Sequence, residues 1–484
     1  MDRFTPQEDL PIFVDLDQTL VRTDLAQELL VKNLGTPSRF LPTLSAMFKG
    51  RAALKHHLAQ DAEFDAAALP YNPQVLAYLR AEAAKGRKIY LATAAAAPVA
   101  EKIANHLGMF DAVFASDEGH NLKGKAKLEK IQEIAPEGFE YLGDAKVDLP
   151  IWAEASRVGL VGVSSRTRAA LSNEKPISLD VETEVSKPSP VFRAMRPHQW
   201  AKNLLVLLPL LASHSYGDLV MVMQALLACA LFGLISSSIY ILNDLLDIEA
   251  DRGHPTKCKR PFAAGTLLPV QGVAVSALLM AIGLGAAGLV LGQGMVFVFL
   301  LYIATTTLYS TVLKHHATID VVVLTGLYTL RVFAGGAAIG MMVSTWLLTF
   351  SLFLFYSLAL MKRHIELSRL QARGGQQSRG YWTTDLPAIL STGIGSGLVA
   401  ILTLTLFINS EAATGVYVSP MTLWLIVPLM LFWVNRAWLW ALRDKMQDDP
   451  VVFALKDRVS QITMILCIGL ALLAKSVPVE SVFQ

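Results

Sequence analysis

The spacing of hydrophobic residues changes near residue 200. Before it, short apolar runs alternate with charged stretches, as in a soluble globular domain. From Asn203 onward, long apolar runs dominate, and the charged residues collect in the segments between them. The pattern therefore predicts a soluble N-terminal domain followed by an all-α membrane domain that crosses the bilayer several times.

The N-terminal part predicts an α/β domain with a parallel, Rossmann-like sheet. The stretches "PIFVDLD", "GRKIYLATA", "FEYLGDA" and "RVGLVGVS" are short apolar runs separated by helical segments, which is typical of buried parallel strands. Roughly 70 residues separate the first two strands, which is too long for one crossover helix. We therefore expect an inserted helical cap around Ala26–Leu79. The predicted domain covers residues 1–165, and a polar linker is predicted at 166–192.

Residues 193–484 predict the membrane domain, with about nine transmembrane helices. The first and sixth apolar segments are short, so eight helices is the alternative. The predicted segments are 203–215, 219–242, 270–292, 294–313, 320–340, 346–361, 387–408, 420–441 and 460–476.

Charge asymmetry predicts the orientation of this domain. With a cytosolic N-terminus, the predicted cytosolic loops hold many Lys and Arg residues, whereas the outer loops "HSYGD", "GQG", "GMMVS" and "NSEAATGVYVSP" hold neither. The first 20 residues contain no apolar stretch long enough for a signal peptide. We therefore expect a bacterial-type inner (plasma) membrane protein whose N-terminal domain and polar clusters face the cytosol.

Composition narrows the classes of function. The chain is 53% hydrophobic, which is too apolar for an ordinary soluble enzyme. A formal net charge of only +2 gives no basic field that would favour nucleic acid as a partner. The 3 cysteines are scattered, without the spacing of a metal site. The sequence leaves the oligomeric state open.

The stretch "YILNDLLDIEADRGHPTKCKRPF" (240–262) places acids at the end of an apolar run. Asn243, Asp247 and Asp251 recur every four residues, and Asp244 lies three before Asp247, so a continuing helix would present them on roughly one face. Carboxylates so close repel one another unless a cation lies between them, and Mg²⁺ prefers such ligands together with phosphate oxygens. Positive charges follow, at Lys257, Lys259 and Arg260. The alternative is a solvated helix end with a basic loop that obeys the positive-inside rule.

Further polar residues lie in or beside other apolar segments. Tyr309 and Lys314 close one segment, and Asp320 opens the next. Arg331 lies eleven residues after Asp320, about three helical turns, so the two would share a face. Because an unpaired guanidinium inside a membrane is costly, a structural salt bridge is the alternative to a binding role. Lys202, in "RAMRPHQWAKN", is either part of an interfacial anchor or a phosphate ligand.

These stretches carry a resemblance. "NDLLDIEAD" matches the NDxxDxxxD signature of the UbiA superfamily of intramembrane prenyltransferases. Together with "MRPHQWAKN" and "LKHHATID…LRVFAGG", it resembles the decaprenyl-phosphate phosphoribosyltransferases within that superfamily, over about residues 193 to 475. The resemblance implies transfer of phosphoribose from phosphoribosyl pyrophosphate (PRPP) to a polyprenyl phosphate lipid in the bilayer.

The resemblance also implies residue roles. The Mg²⁺ ligands facing the PRPP pyrophosphate would be Asn243, Asp244, Asp247 and Asp251, of which Asp247 and Asp251 are the candidate catalytic residues. The candidate substrate ligands are Lys202, Asn243, Lys257, Arg260, Tyr309, Lys314, Asp320 and Arg331. Members with aromatic acceptors carry a second acid-rich motif, whereas this chain has Asp320 with basic neighbours, which favours an anionic acceptor.

Polar residues also follow the strands of the N-terminal domain. Asp15 and Asp17 end the first predicted strand, Thr93 the second and Asp144 the third, with Asp148 close behind. Lys123, Lys125 and Lys127 open a predicted helix. Open α/β sheets bind ligands at the carboxyl ends of their strands. Two carboxylates one residue apart there can share a metal or divide nucleophile and acid roles.

This set resembles the haloacid dehalogenase-like (HAD-like) phosphatases over about residues 8 to 165. The resemblance implies that Asp15 is the nucleophile and Asp17 the general acid/base, and that Thr93 and Lys127 hold the phosphoryl oxygens, with Lys125 as the alternative lysine. Mg²⁺ would be bound by the acids Asp15, Asp17, Asp144 and Asp148.

The two halves predict one bifunctional enzyme. Transfer from PRPP leaves a 5-phosphate on the lipid-linked ribose, and the HAD-like domain would remove it to give polyprenyl-phosphoryl-ribose. One alternative is an aromatic prenyltransferase that uses prenyl diphosphate and carries a phosphatase of unrelated specificity. A second alternative is a lipid-phosphate transporter or scaffold, because intramembrane acids also mark ion pathways.

Overall fold

The computed structural model describes residues 10–60, 63–117, 121–171, 175–182, 188–446 and 449–478. The chain divides into two compact units. The first comprises Met1–Met195 with Tyr240–Ala277, and the second comprises Arg196–Ile239 with Leu278–Gln484.

The first unit is built on a six-stranded parallel sheet in the order β3-β2-β1-β4-β5-β6. Its central strand is buried at every position, because helices cover both faces of a parallel sheet. The strands are β1 (Ile12–Val14), β2 (Ile89–Ala96), β3 (Ala112–Ser116), β4 (Glu140–Gly143), β5 (Arg157–Val161) and β6 (Ile177–Val181). The Rossmann-like sheet is confirmed.

Two strands of this sheet were not predicted. β3 is a five-residue strand in "DAVFAS". β6 lies inside the predicted linker 166–192 and pairs with β5 as the edge strand. The short α8 (Ser165–Ala169) also enters that segment, whereas residues 172–174 and 183–187 of it lie outside the described residues. Only Val181 of β6 is buried, so the sequence offers little apolar signal there.

Helices surround the sheet. Four of them lie between β1 and β2, where the sequence predicts a helical cap, and two of these four begin with side-chain caps, Asp24 for α1 and Asn72 for α4. The helices are α1 (Leu25–Gly35), α2 (Pro37–Phe48), α3 (Arg51–Gln60), α4 (Pro73–Ala84), α5 (Ala97–Leu107), α6 (Lys125–Ile134), α7 (Leu149–Glu154), α8 and α9 (Pro190–Met195).

The remaining helices form the membrane part. They are α10 (Leu208–Ala212), α11 (Leu219–Leu246), α12 (Ile248–Arg252), α13 (Pro269–Ala286), α14 (Gln293–Thr311), α15 (Ile319–Ala338), α16 (Thr345–Ala372), α17 (Leu386–Ile408), α18 (Glu411–Thr414), α19 (Ile426–Leu442), α20 (Pro450–Lys456) and α21 (Arg458–Ser476). A small hairpin, β7 (Gln377–Ser378) and β8 (Tyr381–Trp382), follows α16.

Among the described residues, 8 helices are long and apolar enough to cross a membrane. This number agrees with the predicted alternative of eight, and the segment 203–215 is not among these helices. The predicted segment 203–215 instead forms a 3₁₀ helix, Pro197–Leu207, and the five-residue α10. Thirteen residues of helix span only about 20 Å, less than the apolar core of a bilayer.

One glycine fixes a close helix crossing in the second unit. A Cβ added to Gly335 of α15 would overlap the carbonyl oxygen of Val206 and lie 2.9 Å from Pro209. Gly326, on the same helix, has no atom within 4 Å of its Cβ position. Small residues allow this approach of backbones, as is common between membrane helices.

We expect Gly335→Ala to destabilise the protein by about 1–3 kcal/mol, because the crossing must open to admit the methyl group. Gly326→Ala is the matched control and should be neutral or stabilising by up to about 1 kcal/mol, since it adds only helix propensity. Thermal unfolding of both variants in detergent, followed by tryptophan fluorescence, measures the difference. Equal melting temperatures would contradict the tight crossing.

Candidate active sites

The first site lies at the carboxyl ends of the three central strands. Asp15 follows β1, Thr93 lies in β2 and Asp144 follows β4, and β1 pairs in parallel with both neighbours. These side chains line one cavity of about 240 Å³. All six residues predicted for this site line it: Asp15, Asp17, Thr93, Lys127, Asp144 and Asp148.

Three of these carboxylates converge. Asp15, Asp144 and Asp148 each place an oxygen within 4.8 Å of the others. Burial, and next the charge of Asp15, raise the pKa of Asp144 to about 7 and that of Asp148 to about 6. Oxygen ligands that repel one another in a buried position suit Mg²⁺, so the residues present fit the metal.

The carboxylate of Asp17 lies outside that group. Its Oδ1 accepts a hydrogen bond of 2.9 Å from the backbone N–H of Leu25, the first residue of α1. Burial and the neighbouring Asp24 raise the pKa of Asp17 to about 8. The structure thus gives Asp17 a different environment from the three converging acids, and a group that holds a proton near neutral pH suits a general acid.

Lys127 is the lysine that reaches this site. Its Nζ lies 3.1 Å from Asp15 Oδ1 and 3.0 Å from the hydroxyl of Tyr141. Tyr141 in turn donates a hydrogen bond of 3.0 Å to Asp148. Lys125 is exposed on the other side of the helix start. Sequence reasoning missed Tyr141 because it lies within the apolar run "FEYLGD" and looks like part of a strand.

The second candidate site is the acidic segment after α11. Asp247 leaves helical geometry between α11 and α12, but its N–H still bonds to the carbonyl of Asn243 and its carbonyl to the N–H of Asp251. The four-residue spacing of the predicted face is thereby kept. Asp244 and Asp251 are buried, whereas Asn243 and Asp247 are half-buried.

Arg260 holds the two buried acids together. Its Nη1 lies 3.1 Å from Asp244 Oδ1 and 2.6 Å from Asp251 Oδ2, and Lys257 Nζ lies 3.9 Å from Asp251 Oδ1. Within the described residues, Asp15, Asp144 and Asp148 are the one set of acids that converges tightly enough for a metal. The acids of the second segment provide the oxygen donors that Mg²⁺ prefers, but two of them already share a guanidinium.

A buried ion pair joins α1 to this acidic segment within the first unit. Arg252, which directly follows Asp251, binds both carboxylate oxygens of Glu28 at 2.9 and 2.5 Å. Only 7% and 12% of the two side chains are exposed. Lys32 and Glu249 form a more exposed pair of 2.7 Å beside it. Bidentate pairs of this kind fix orientation as well as distance.

The second unit holds another acid with an excess of positive charge around it. Asp449 accepts from Lys202 at 2.9 Å, Lys362 at 3.1 Å and the Tyr328 hydroxyl at 3.0 Å. Burial lowers the pKa of Lys202 to about 8. Burial opposes ionisation of Asp449, but the charges of Lys362 and Lys202 lower its pKa below the ordinary value. Lys202 is thus a buried ion-pair partner rather than a surface anchor.

A large apolar cavity lies beside this cluster. Its volume is about 610 Å³, and it is lined by Ala201 before Lys202, Val451 after Asp449, and Leu358 one turn from Lys362. Its other walls are predominantly Leu, Ile, Met and Phe side chains. Lys202, Lys362 and Asp449 do not themselves line this cavity, so it offers an apolar surface, and the charged cluster lies outside its walls.

The predicted partnership of Asp320 and Arg331 is not seen. Asp320 is fully buried and binds Arg363 at 2.6 Å and the Tyr381 hydroxyl at 2.7 Å. Arg331 instead donates to Asn203, Tyr302 and a carbonyl of its own helix. Eleven residues of helix separate two positions by about 16 Å, too far for an ion pair even on one face.

The other two predicted residues of the second unit lie near the surface. The hydroxyl of Tyr309 accepts from Arg379 at 3.3 Å, and Lys314 is half-buried in the 3₁₀ helix Leu313–His315. Sequence reasoning missed the roles of Asp449 and Arg363. "DDPVVF" looks like a turn before a helix, and "MKRHIEL" looks like a cytosolic charge signal.

Comparison with known proteins follows the same division. Residues 204–457 match the UbiA prenyltransferase family, and residues 12–152 match the haloacid dehalogenase-like hydrolases. The chain therefore belongs to the UbiA prenyltransferase family and carries a HAD-like domain at its N-terminus. It is a multi-pass membrane protein.

Three relatives show how far the likeness extends. The chain is 39% identical to uncharacterized protein y4nM of Sinorhizobium fredii, across 93% of this chain and 88% of that protein. It is 33% identical to nodulation protein NoeC of Azorhizobium caulinodans, across 58% of this chain and 90% of that protein. It is 31% identical to decaprenyl-phosphate phosphoribosyltransferase of Mycolicibacterium smegmatis, across 58% of this chain and 91% of that protein.

The two lysines near the phosphatase site can be separated by mutation. We expect Lys127→Ala to lower the kcat of phosphomonoester hydrolysis about a hundredfold, because it removes the cation beside Asp15. Lys125→Ala, two residues away and exposed, should stay within about threefold of the wild type. Hydrolysis of p-nitrophenyl phosphate by the purified full-length chain measures both. A larger loss for Lys125→Ala would reverse the assignment.

The Glu28–Arg252 pair should hold α1 and α12 in place. Since removing one partner of a buried pair costs about 3–5 kcal/mol, Glu28→Gln should speed amide hydrogen exchange in both helices at least about tenfold. The matched control is Arg168→Gln, which breaks a bidentate pair with Asp180 whose side chains are 39% and 35% exposed. Hydrogen exchange followed by mass spectrometry should show little change there. Equal acceleration of hydrogen exchange in the two variants would mean that the buried Glu28–Arg252 pair stabilises its helices no more than the exposed Arg168–Asp180 pair does.

Proposed function

We propose that this enzyme transfers phosphoribose from PRPP to a polyprenyl phosphate and then removes the 5-phosphate with its HAD-like domain. The product would be polyprenyl-phosphoryl-ribose. The observation that carries the proposal is the likeness to decaprenyl-phosphate phosphoribosyltransferase, which extends along 91% of that relative.

The charges of the membrane part support an anionic lipid as acceptor. Lys202 and Lys362 together outnumber the one acid that they bind, Asp449, so the cluster carries excess positive charge. The apolar cavity of about 610 Å³ beside it offers room for an isoprenoid chain. The prenyl diphosphate of the alternative function also combines an anionic head with an isoprenoid chain, so the donor experiment below separates the two functions.

In the transfer step, an oxygen of the lipid phosphate attacks C1 of the ribose, and the bond from C1 to the pyrophosphate oxygen breaks. The acceptor is already an anion, so no strong general base is needed. Arg260 and Lys257 would neutralise phosphate charge beside Asp247 and Asp251. Bound Mg²⁺, held by Asn243, Asp244, Asp247 and Asp251, would supply further neutralisation of the leaving group. Catalysis is then mainly positioning and electrostatic stabilisation.

In the hydrolytic step, the carboxylate of Asp15 attacks phosphorus, and Asp17 gives a proton to the departing ribose oxygen. Water then cleaves the aspartyl-phosphate, with Asp17 taking back a proton. Thr93 and Lys127 would hold the phosphoryl oxygens, and Asp15, Asp144 and Asp148 would hold Mg²⁺. Fusion of the two domains keeps the second site at high effective concentration relative to the lipid product.

One labelling experiment tests both steps. Purified chain is incubated with Mg²⁺, polyprenyl phosphate and PRPP labelled in the ribose, and the lipids are analysed by mass spectrometry. We expect labelled polyprenyl-phosphoryl-ribose from the wild type. Asp15→Asn should keep transfer within about threefold but leave one extra phosphate on the lipid, because only the nucleophile of hydrolysis is lost.

Asp247→Ala should lower transfer about a hundredfold or more, since the acid segment loses a central carboxylate. Glu249→Gln is its control, because Glu249 is exposed and pairs with Lys32. Absence of label in lipid, with activity on a prenyl diphosphate and an aromatic acid, would favour the aromatic prenyltransferase. Movement of lipid phosphate across vesicles without turnover would favour a transporter.

A further inference from the structure

The phosphatase cavity has a second set of positive charges that the hydrolytic chemistry does not use. Besides Lys127, its walls include Lys55 and Lys123. Lys127 is buried against Asp15, where the proposed function uses it to hold the phosphoryl group that is hydrolysed. The other two lysines therefore need a separate explanation.

Lys55 reaches the cavity from the cap. It lies on α3, and its Nζ donates to the carbonyl oxygen of Ala94 at 3.1 Å and to the side-chain oxygen of Asn121 at 3.0 Å. Ala94 directly follows Thr93, so the ammonium lies next to the strand end proposed to hold the phosphoryl group. Its partners are both neutral oxygens, which an incoming anion can replace.

Neither lysine has a carboxylate partner among the residues that the structure describes: no ion pair within 4 Å joins Lys55 or Lys123 to an acid there. Burial, and next the charge of Lys123, lower the pKa of Lys55, while the charges of Asp17 and Asp24 act in the opposite direction. Three acids of the cavity, Asp15, Asp144 and Asp148, converge as a metal group, and Asp17 and Asp24 line the cavity as well. Lys55 and Lys123 therefore form a cationic part of the cavity wall that makes no direct ion pair with an acid of the described residues.

We propose that Lys55, assisted by Lys123, binds a second phosphate group of the phosphatase substrate. The site would then select a sugar that carries a phosphomonoester for hydrolysis and another phosphate at its far end. This inference rests on the proposed function, because the lipid made by phosphoribosyl transfer has a phosphomonoester at C5 and a phosphodiester at C1 of the same ribose. Lys55 would thus be a specificity-determining residue.

Soluble probes test the inference without the transfer reaction. Full-length purified protein is assayed with Mg²⁺ on ribose 1,5-bisphosphate and on ribose 5-phosphate. The wild type should prefer the bisphosphate through a lower KM. Lys55→Ala should raise the KM for the bisphosphate about ten- to a hundredfold, the usual range for a hydrogen bond between charged groups. The KM for ribose 5-phosphate and both kcat values should change less than about threefold.

Two further variants make the result unambiguous. Lys55→Arg keeps the charge and should keep most of the preference, and Lys102→Ala removes an exposed lysine of α5 that packs on Phe64 and should change nothing. Unchanged kcat on ribose 5-phosphate shows that Lys55→Ala is folded. The inference is overturned if the wild type does not discriminate, or if Lys55→Ala raises both KM values equally. Selectivity that survives in a protein unable to label lipid would refute the proposed function alone.

Discussion

A buried carboxylate must be compensated by positive charge or by hydrogen bonds, and this constraint organises three polar clusters among the described residues. Moving an ionised carboxylate from water into the protein interior costs several kcal/mol, and a well-placed cation offsets a large part of that cost. Arg260 compensates Asp244 and Asp251, Lys202 and Lys362 compensate Asp449, and Arg363 compensates Asp320. Each cluster fixes segments that are distant in sequence.

The polar clusters differ in the sign of their net charge once carboxylates and lysines are counted together. At the strand ends of the first unit, three converging carboxylates meet one lysine, which leaves an excess of negative charge and suits a divalent cation. Around Asp449, two lysines meet one carboxylate, which leaves an excess of positive charge and suits an anion. The net charge is therefore negative at the acidic group of the first unit and positive around Asp449 in the second.

The ion pair between Glu28 and Arg252 links two segments of the first unit that are far apart in sequence. α1 begins at Leu25, whose backbone N–H donates a hydrogen bond to Asp17. One turn later in the same helix, Glu28 forms the ion pair with Arg252, which directly follows Asp251. One short helix therefore contacts both Asp17 and the acidic segment that contains Asp251. Because a bidentate, mostly buried pair is stiff, displacement of either segment is resisted by the other.

How much the sequence could predict depended on the range of the interactions involved. Strand ends follow from short apolar runs, so Asp15, Asp17, Thr93 and Asp144 were predicted to meet, and the cavity of about 240 Å³ brings them together. Strand β3 was not predicted because the apolar run in "DAVFAS" is short. Strand β6 was not predicted because it is an edge strand whose polar residues face outward. The segment 203–215 is apolar but too short to span a membrane as one helix.

The sequence by itself determined the two architectures, the family, and the residue types at each candidate site, because hydrophobic period and motif spacing are local properties. Only the tertiary structure decided which charges meet. It selected Lys127 over Lys125, paired Asp320 with Arg363 in place of Arg331, and brought Lys202 to Asp449 across 247 residues. Which charged residues form ion pairs depends on how helices and strands far apart in the chain pack together. No local sequence pattern encodes that packing.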